Sequence, residues 1–347
     1  MSDKKVTIRD VAHAAGVSIA TVSRYINQNF SSMSEETKLR IEEVILTLNY
    51  HPNKMAQGLK GQSRTLAVVV VNMSYPFCVS VIRSISEALN AAGYSLLVCE
   101  TGDDPKRELT LLHSLVAHGV DGIILQTNGQ NLKVLQDLAQ KMPIVLVDRH
   151  FEIAGVKNVI TNNEESSYLL TDALCTEGYE CIYFISETLN GLSTRTERLA
   201  GYQRACEERS LDPHVCWVDR SDPATFEAVM EQLRQHPRQQ PFAVYTSNGL
   251  LMMELYPMLT GLALQVPQEM GIATFDEPDW VKLTQPRMTC IRQPTHEIGQ
   301  LAATTVLERL RGDIKAHLQP AVQTIPSVLV FSPSTQRTNE KRYDAQR

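Results

Sequence analysis

From residue 66 onward the chain alternates short, uninterrupted apolar runs with amphipathic stretches of helical length, and few architectures accept that order. The first run, Leu66-Ala67-Val68-Val69-Val70-Val71, offers no polar residue to water, as expected of a parallel strand covered on both faces. Comparable runs recur at Ser95–Cys99, Gly122–Leu125, Ile144–Val147, Cys181–Ile185, Phe242–Tyr245, Gly271–Phe275 and Val328–Phe331. Between them lie amphipathic stretches such as Val79–Ala92, Lys106–His118, Glu165–Glu177 and Arg198–Arg209. Strands alternating with helices imply βαβ units and doubly wound sheets. About eight to ten strand candidates are more than one such sheet usually holds, so two sheets are expected.

The first sixty residues have a different texture. Thr7-Ile8-Arg9-Asp10 has the form of a capping box, in which the Thr7 hydroxyl accepts a backbone N–H and Asp10 reaches back. Ile8, Val11, Ala12 and Ala15 follow at helical spacing until Gly16 stops the helix. Ser18 is placed to cap a second helix from Ile19 to about Ile26. A polar loop then leads to Ser34, the expected cap of a third helix with the apolar stripe Leu39, Ile41, Val44, Ile45 and Leu48. After Pro52, residues 53–59 are long enough for one more short helix before Gly61. Residues 1–64 carry nine Lys and Arg against six Asp and Glu, and the remainder carries 24 against 33. Only the head of this acidic chain therefore suits a polyanion. On spacing alone the pair of helices around Gly16 is either a helix-turn-helix or an ordinary αα-hairpin. In the first case the second helix lies across the major groove, with Ile19, Ala20 and Thr21 toward base edges and Ser23 and Arg24 near phosphate or guanine.

Other function classes are disfavoured. An apolar fraction of 43% with 21% charged residues is that of a globular chain with a sizeable core, and no window reaches the roughly 18 apolar residues of a membrane span. The charged start MSDKKVTIRD has no apolar signal segment, so a cytoplasmic protein is expected. Seven cysteines without a CxxC pair fit free thiols better than a disulfide framework or a zinc cluster. No GxSxG elbow, P-loop or GxGxxG is present, and His296-Glu297 is not followed by the second histidine of an HExxH site. His13, His51, His113 and His118 have no metal-ligand grouping. No catalytic residue, metal or cofactor is expected.

The stretch TIRDVAHAAGVSIATVSRYIN, Thr7 to Asn27, closely resembles the helix-turn-helix of the lactose/galactose repressor (LacI/GalR) family, and Leu48-Asn49-Tyr50-His51-Pro52-Asn53 and Met55-Ala56-Gln57-Gly58-Leu59 continue the likeness. Later segments support it by their order and spacing: Tyr75-Pro76-Phe77, Gly119 to Ile124, Pro143 to Arg149, Arg198 to Tyr202, Ser247-Asn248, Phe275-Asp276 and Ile291 to Pro294. The resemblance implies an N-terminal all-α helix-turn-helix, residues 1–62, whose hinge helix spans about 53–60. It also implies an α/β periplasmic-binding-protein-like core, residues 63–333, of two doubly wound subdomains. These would be about 64–163 with 291–320, and about 164–290 with 321–333; the polar tail 334–347 is expected to be disordered. Thr7, Ser18, Ile19, Ala20, Thr21, Ser23, Arg24, Asn27 and Asn53 are then the DNA-contacting positions. Leu59, with Ala56 beside it, becomes the wedge that enters the minor groove and bends the duplex. Gly58 is a poor helix residue, so this hinge is expected to form on DNA.

Side chains at the carboxyl ends of strands converge in the crevice of such a fold. Asp148, Arg149, Asn248 and Asp276 each follow an apolar run, and Arg198, Asn248 and Asp276 best match the family's effector-contacting positions. Tyr75, Phe77, Trp280 and Gln293 complete the expected site, with Trp280 stacking on a sugar face. Gly249 stands where the family usually has Asp, and Arg287 where it has Pro. Two arginines, Arg149 and Arg198, suit the carboxylate of a sugar acid, whereas Asp276 and Asn248 suit the hydroxyls of a neutral sugar equally well. The alternative for Arg149 is a structural ion pair with Asp148 or with a residue across the cleft. The expectation is a homodimeric, sugar-responsive repressor on a pseudo-palindromic operator, with no membrane association. The rival is a sugar-binding or sugar-modifying enzyme with a helical appendage, which has no need of the helix-turn-helix or of Leu59.

Overall fold

The computed structural model of the chain describes residues 6–26, 29–31, 33–48, 50, 63–312 and 321–337. The chain divides into two compact units, Met1–Ser63 and Arg64–Arg347.

The first unit holds α1 (Ile8–Ala14), α2 (Ile19–Ile26) and α3 (Glu35–Thr47). Asp10 reaches back to accept the Thr7 amide at 2.7 Å, the half of the capping box that its carboxylate supplies, and the Thr7 hydroxyl donates to the same carboxylate at 2.7 Å. Gly16 then takes φ +65°, a left-handed conformation that β-carbon sterics deny most residues, and this reverses the chain between α1 and α2. Ser18 Oγ accepts the Thr21 amide at 3.1 Å and Ser34 Oγ accepts the Thr37 amide at 3.3 Å, so both expected caps form. Val11, Ala12, Ala15, Val22, Ile41 and Tyr50 make the buried core of the unit. Leu39 is not part of it. At 3.6 residues per turn it lies about 200° around α3 from Ile41, and it is 60% exposed. The expected hinge helix, with Asn53, Ala56 and Leu59, and also Asn27, lies outside the described residues.

The second unit is built from βα repeats. Its strands are β1 (Thr65–Val70), β2 (Ser95–Glu100), β3 (Gly122–Leu125), β4 (Ile144–Val147), β5 (Lys157–Thr161) and β6 (Cys181–Glu187), then β7 (His214–Val218), β8 (Phe242–Thr246), β9 (Met270–Phe275), β10 (Thr289–Arg292), β11 (Val322–Ile325) and β12 (Val328–Val330). Its helices are α4 (Pro76–Ala91), α5 (Pro105–Ala117), α6 (Leu132–Ala139), α7 (Asn163–Thr176), α8 (Ser193–Glu208), α9 (Pro223–Gln235), α10 (Gly249–Thr260) and α11 (Thr295–Leu310). They form two six-stranded sheets, ordered β11-β5-β4-β3-β1-β2 and β12-β10-β9-β8-β6-β7. All pairings are parallel except that of β10 with β12. Each sheet carries apolar clusters on both faces, which is why β1, β3, β4, β8 and β9 read as unbroken apolar runs.

The chain passes between the sheets three times, and two of the expected boundaries move. β10 belongs to the second sheet, so the return to the first comes after Arg292 rather than near 291. β11 pairs with β5 in the first sheet, so the last crossing falls at Pro326 and Ser327 rather than at 320. The expected disorder from 334 onward is also corrected for its first four residues. Ser334 and Thr335 are buried, Ser334 Oγ donates to the Ile272 carbonyl at 2.6 Å, and the Arg337 amide donates to Glu177 at 2.9 Å. A polar composition was compatible with order because these hydroxyls bond to the backbone of β9 and its neighbours. Residues 338–347 lie outside the described residues.

α7 and α8 pack unusually close. A Cβ on Gly201 would lie 2.0 Å from the Glu164 carbonyl oxygen, so no other residue fits there without moving a helix. That contact fixes the position of Arg198, less than one turn earlier on α8.

Candidate functional site

In both sheets the strand order reverses beside the first strand, between β1 and β3 and between β6 and β8. Crevices form at such switch points, beyond the carboxyl ends of the strands. One small chamber is walled there by both halves of the core. Tyr75 and Phe77 follow β1, Gln126 follows β3, and Asp148 and Arg149 follow β4. From the other side come Glu187 at the end of β6, Thr194, Arg195 and Arg198 from the start of α8, Ser247 and Asn248 after β8, and Asp276 after β9. Gln293, just past β10, stands at a crossing. The free space within it is about 40 Å³, and it is partly open to solvent.

The polar groups of the chamber hold one another in place. Arg198 Nε donates to Asn163 Oδ1 at 2.9 Å and Nη1 to the Ser247 carbonyl at 2.8 Å, and its guanidinium lies 3.7 Å over the Phe275 ring. Asn248 caps α10 by accepting the Leu251 amide at 2.8 Å, and its amide donates to Glu187 at 2.9 Å; Glu187 in turn pairs with Arg195 at 3.0 Å. Asp276 accepts the Gly249 amide at 3.0 Å and the side-chain amide of Gln293. Gly249 packs closely there, since a Cβ would meet Asp276 Cβ and Pro278 at 3.1–3.2 Å.

Asp148 and Asp276 both have positive φ, 69° and 79°. Strained backbone of this kind clusters at ligand sites. Gln126 donates to Asp148, and burial raises the Asp148 carboxyl above its ordinary range, against Arg198, Arg149 and the Gln126 hydrogen bond. Burial also pushes the Tyr75 phenol up to about 12, assisted by Glu187 and opposed by Arg195, Arg220 and Arg149, so Tyr75 is a neutral hydrogen-bonding group. Among the described residues, Arg149 Nε, Ser247 Oγ and Gln293 Oε1 are buried at this chamber without a hydrogen-bond partner. Buried polar atoms are rarely left so.

Eight of the nine residues expected from sequence line the chamber. Trp280 sits beside it, in a short 3-10 turn (Asp279–Leu283) with its ring 6.1 Å from that of Tyr256, and lines an adjoining open cleft of about 870 Å³ that shares Phe77, Asp276 and Gln293 with the chamber. Sequence reasoning missed Cys78, Gln126, Glu187, Thr194, Arg195 and Ser247. Gln126 and Ser247 obey the strand-end rule that found Asp148, and Glu187 closes the run that begins at Cys181. Among the described residues no cluster of His, Cys, Asp and Glu could hold a metal, and no helix is long and apolar enough to cross a membrane.

In the first unit, α2 buries Val22 and turns Ser18, Ile19, Ala20 and Arg24 to solvent, with Thr21 and Ser23 half-buried. Ile19, a β-branched apolar residue, is 44% exposed at the start of this helix. Thr7 is exposed at the start of α1.

A family profile described as periplasmic binding proteins and sugar binding domain of LacI family matches residues 63–332, and one described as bacterial regulatory proteins, lacI family, matches residues 7–53. The HTH-type transcriptional regulator KdgR of Bacillus subtilis is 36% identical over 311 residues, covering 88% of this chain and 92% of that protein. The HTH-type transcriptional regulator PtxS of Pseudomonas aeruginosa is 34% identical over 334 residues, covering 95% and 96%. Among solved structures, the lac repressor dimer bound to operator and the anti-inducer ONPF aligns with a TM-score of 0.80 at 24% identity, over 96% of this chain and all of that one.

Proposed function

The chain belongs to the LacI family of bacterial regulatory proteins, and from that premise we propose that it is a transcription regulator, most naturally a repressor, whose affinity for operator DNA is set by a sugar acid bound in the chamber between the core subdomains. The helix-turn-helix reads the operator through Ser18, Ile19, Ala20, Thr21, Ser23 and Arg24, and the wedge is assigned to Leu59 with Ala56. A homodimer on a pseudo-palindromic site is supported by the sheet edges, where Leu97 and Val98 on β2 and Trp217 on β7 present apolar side chains to solvent. The protein acts in the cytoplasm and performs no catalysis.

The observation that carries the acid reading is the placement of Arg149 and Arg198 on opposite walls of one chamber, with Arg149 Nε making no hydrogen bond and only an ion-pair contact with Asp148 at 4.0 Å. Charged hydrogen bonds to a carboxylate are the strongest such a site can offer. Asp276 and Asn248 provide for the hydroxyls. Thermal-shift screening against sugars, sugar acids and sugar phosphates tests the class, because a bound ligand raises apparent stability by mass action. Sugar acids should dominate the hits. Removing residues 1–62 should abolish operator binding and leave those hits unchanged; specific DNA affinity in the truncated core would sink the assignment of the head.

A further inference from the structure

Asp103 lies outside the chamber, in the turn between β2 and α5, yet its carboxylate reaches Arg149, whose Nη1 donates to it at 3.0 Å. The two partners differ sharply in environment: the Arg149 side chain is 7% exposed and that of Asp103 is 44% exposed. Asp103 also has φ 61°, in the left-handed region that disfavours residues with a Cβ. The turn is pinned in that shape, since the Asn128 side-chain amide donates to the Asp103 carbonyl at 3.0 Å. A surface aspartate needs no strained backbone to be hydrated. The strain is offset by what its side chain reaches. Arg149 is nevertheless only half engaged, because its Nε is buried without a hydrogen-bond partner, 4.0 Å from the nearer Asp148 oxygen.

We propose that Asp103 is an internal stand-in for the acid group of the effector, holding the Arg149 guanidinium until a ligand carboxylate takes it over. This inference rests on the sugar-acid reading of the chamber. A guanidinium presents a planar fork of donors that a carboxylate can grip in two places. Asp103 grips Nη1 with one bond, so an arriving carboxylate that grips Nη1 and Nη2 together makes two bonds for the one it displaces. The displaced Asp103 returns to water that already bathes nearly half of its side chain, so its release costs little solvation. A neutral sugar brings no anion with which to compete. Asp103 thereby sets a threshold that acids cross and neutral sugars do not.

The experiment is chemical rescue in the full-length protein. Asp103→Ala deprives a buried arginine of its counter-charge, and a small carboxylate should replace it. Thermal unfolding is compared in sodium acetate and in sodium chloride at equal ionic strength, at about 100 mM, where even a weak ligand stabilises measurably. Acetate should raise the melting temperature of Asp103→Ala above its value in chloride and leave the wild type unchanged. Adding Arg149→Gln to Asp103→Ala should abolish the increment. Asp103→Asn, which keeps the side-chain volume, provides the same comparison where Asp103→Ala folds poorly. Equal acetate effects in wild type and variant, or rescue that survives Arg149→Gln, would overturn the proposal. Rescue as expected, together with a ligand screen that returns only neutral sugars, would uphold the carboxylate seat and overturn the acid reading of the effector.

Discussion

Asp276→Asn removes a negative charge from the chamber while leaving the fold able to keep every bond it now makes there. Asp276 Oδ2 accepts the Gly249 amide at 3.0 Å and Oδ1 accepts the Gln293 side-chain amide. An asparagine can keep its carbonyl on Gly249 and turn its amide toward Gln293. That turn would be ruinous if Gln293 could only donate, but Gln293 Oε1 is buried and unpartnered, so a flip of its amide makes it the acceptor. What is lost is charge assistance in two bonds, about 0.5–2 kcal/mol each, or on the order of 2–15 °C in melting temperature for a unit of this size. The ligand loses one such bond. A sugar hydroxyl donating to a carboxylate contributes about 1.5–3 kcal/mol against about 1 for a neutral acceptor, so effector affinity should fall roughly 2- to 30-fold. Isothermal titration with the best screening hit, beside thermal unfolding of the unliganded variant, measures both quantities. Wild-type affinity in a stably folded variant would show that the effector does not use Asp276. A melting temperature lowered by far more than the stated range would refute the amide-flip argument.

Substituting Ile19 and Ala20 should change the operator bases preferred, whereas Arg24→Ala should weaken binding to all sequences, because base-edge contacts specify and phosphate contacts mainly position; selection over randomised operators separates the two, and an unchanged consensus for the Ile19 and Ala20 variants would refute the register of α2. Leu59→Ala should lower DNA bending and operator affinity together while effector titration is unaffected, and unchanged bending in a circular-permutation assay would make Leu59 a mere linker residue. Hydrogen bonding to Arg292, with Lys282 and Arg287 also near and burial opposing, holds the Glu277 carboxyl below its ordinary 4.5. A carboxyl lowered on folding stabilises fully above its unfolded pKa and loses that contribution as pH falls through the folded one. Glu277→Gln should therefore flatten the loss of stability on acidification below about pH 4.5, and an acid limb as steep as that of the wild type would contradict the pairing.

The buried centre of the fold was legible because its chemistry is one-sided. β1, β3, β4, β8 and β9 are covered on both faces, which calls for mostly apolar runs; the threonines near the ends of β8 and β9, Thr246 and Thr274, are buried because they hydrogen-bond each other. The strands that escaped notice are those with polar work to do. In β5, Asn158 accepts the Phe151 amide and Thr161 Oγ1 donates to the Ile325 carbonyl; β11, at a sheet edge, alternates more and less exposed residues. β7 is likewise an edge strand with Trp217 exposed, and its His214 amide is held by the Tyr202 hydroxyl. At the site, residues directly following apolar runs were found by a rule with a geometric reason. Arg195 and Thr194 were not, because they enter from the start of α8, whose placement depends on the close contact at Gly201. Trp280, chosen as a residue type suited to sugar stacking, lines the adjoining cleft that shares Phe77, Asp276 and Gln293 with the chamber.

The three crossings between the subdomains explain how a ligand of modest size can govern so large a core. The first and third are tied side by side: Thr161 Oγ1 donates to the Ile325 carbonyl at 2.8 Å, and Asn162 Oδ1 accepts the Ser327 amide at 2.7 Å. The second carries Gln293, bonded to Asp276 in the chamber wall. Strands bound edge to edge in this way resist sliding but allow the halves to rotate about them. Across the cleft itself the described contacts are few, with the His150 amide donating to Ser193 Oγ at 3.2 Å and the His150 ring 3.4 Å from Glu197. A ligand that bonds Arg149 on one half and Arg198 and Asp276 on the other makes all of those bonds in only one relative orientation of the halves. Its differential affinity for that orientation is the whole of its power to shift the protein. The same coupling runs in reverse, because an operator that favours one orientation must change effector affinity by the factor with which the effector changes operator affinity. On the proposed reading of the chamber, the size of the regulatory signal is limited by how many of the bonds that span it a ligand can make at once.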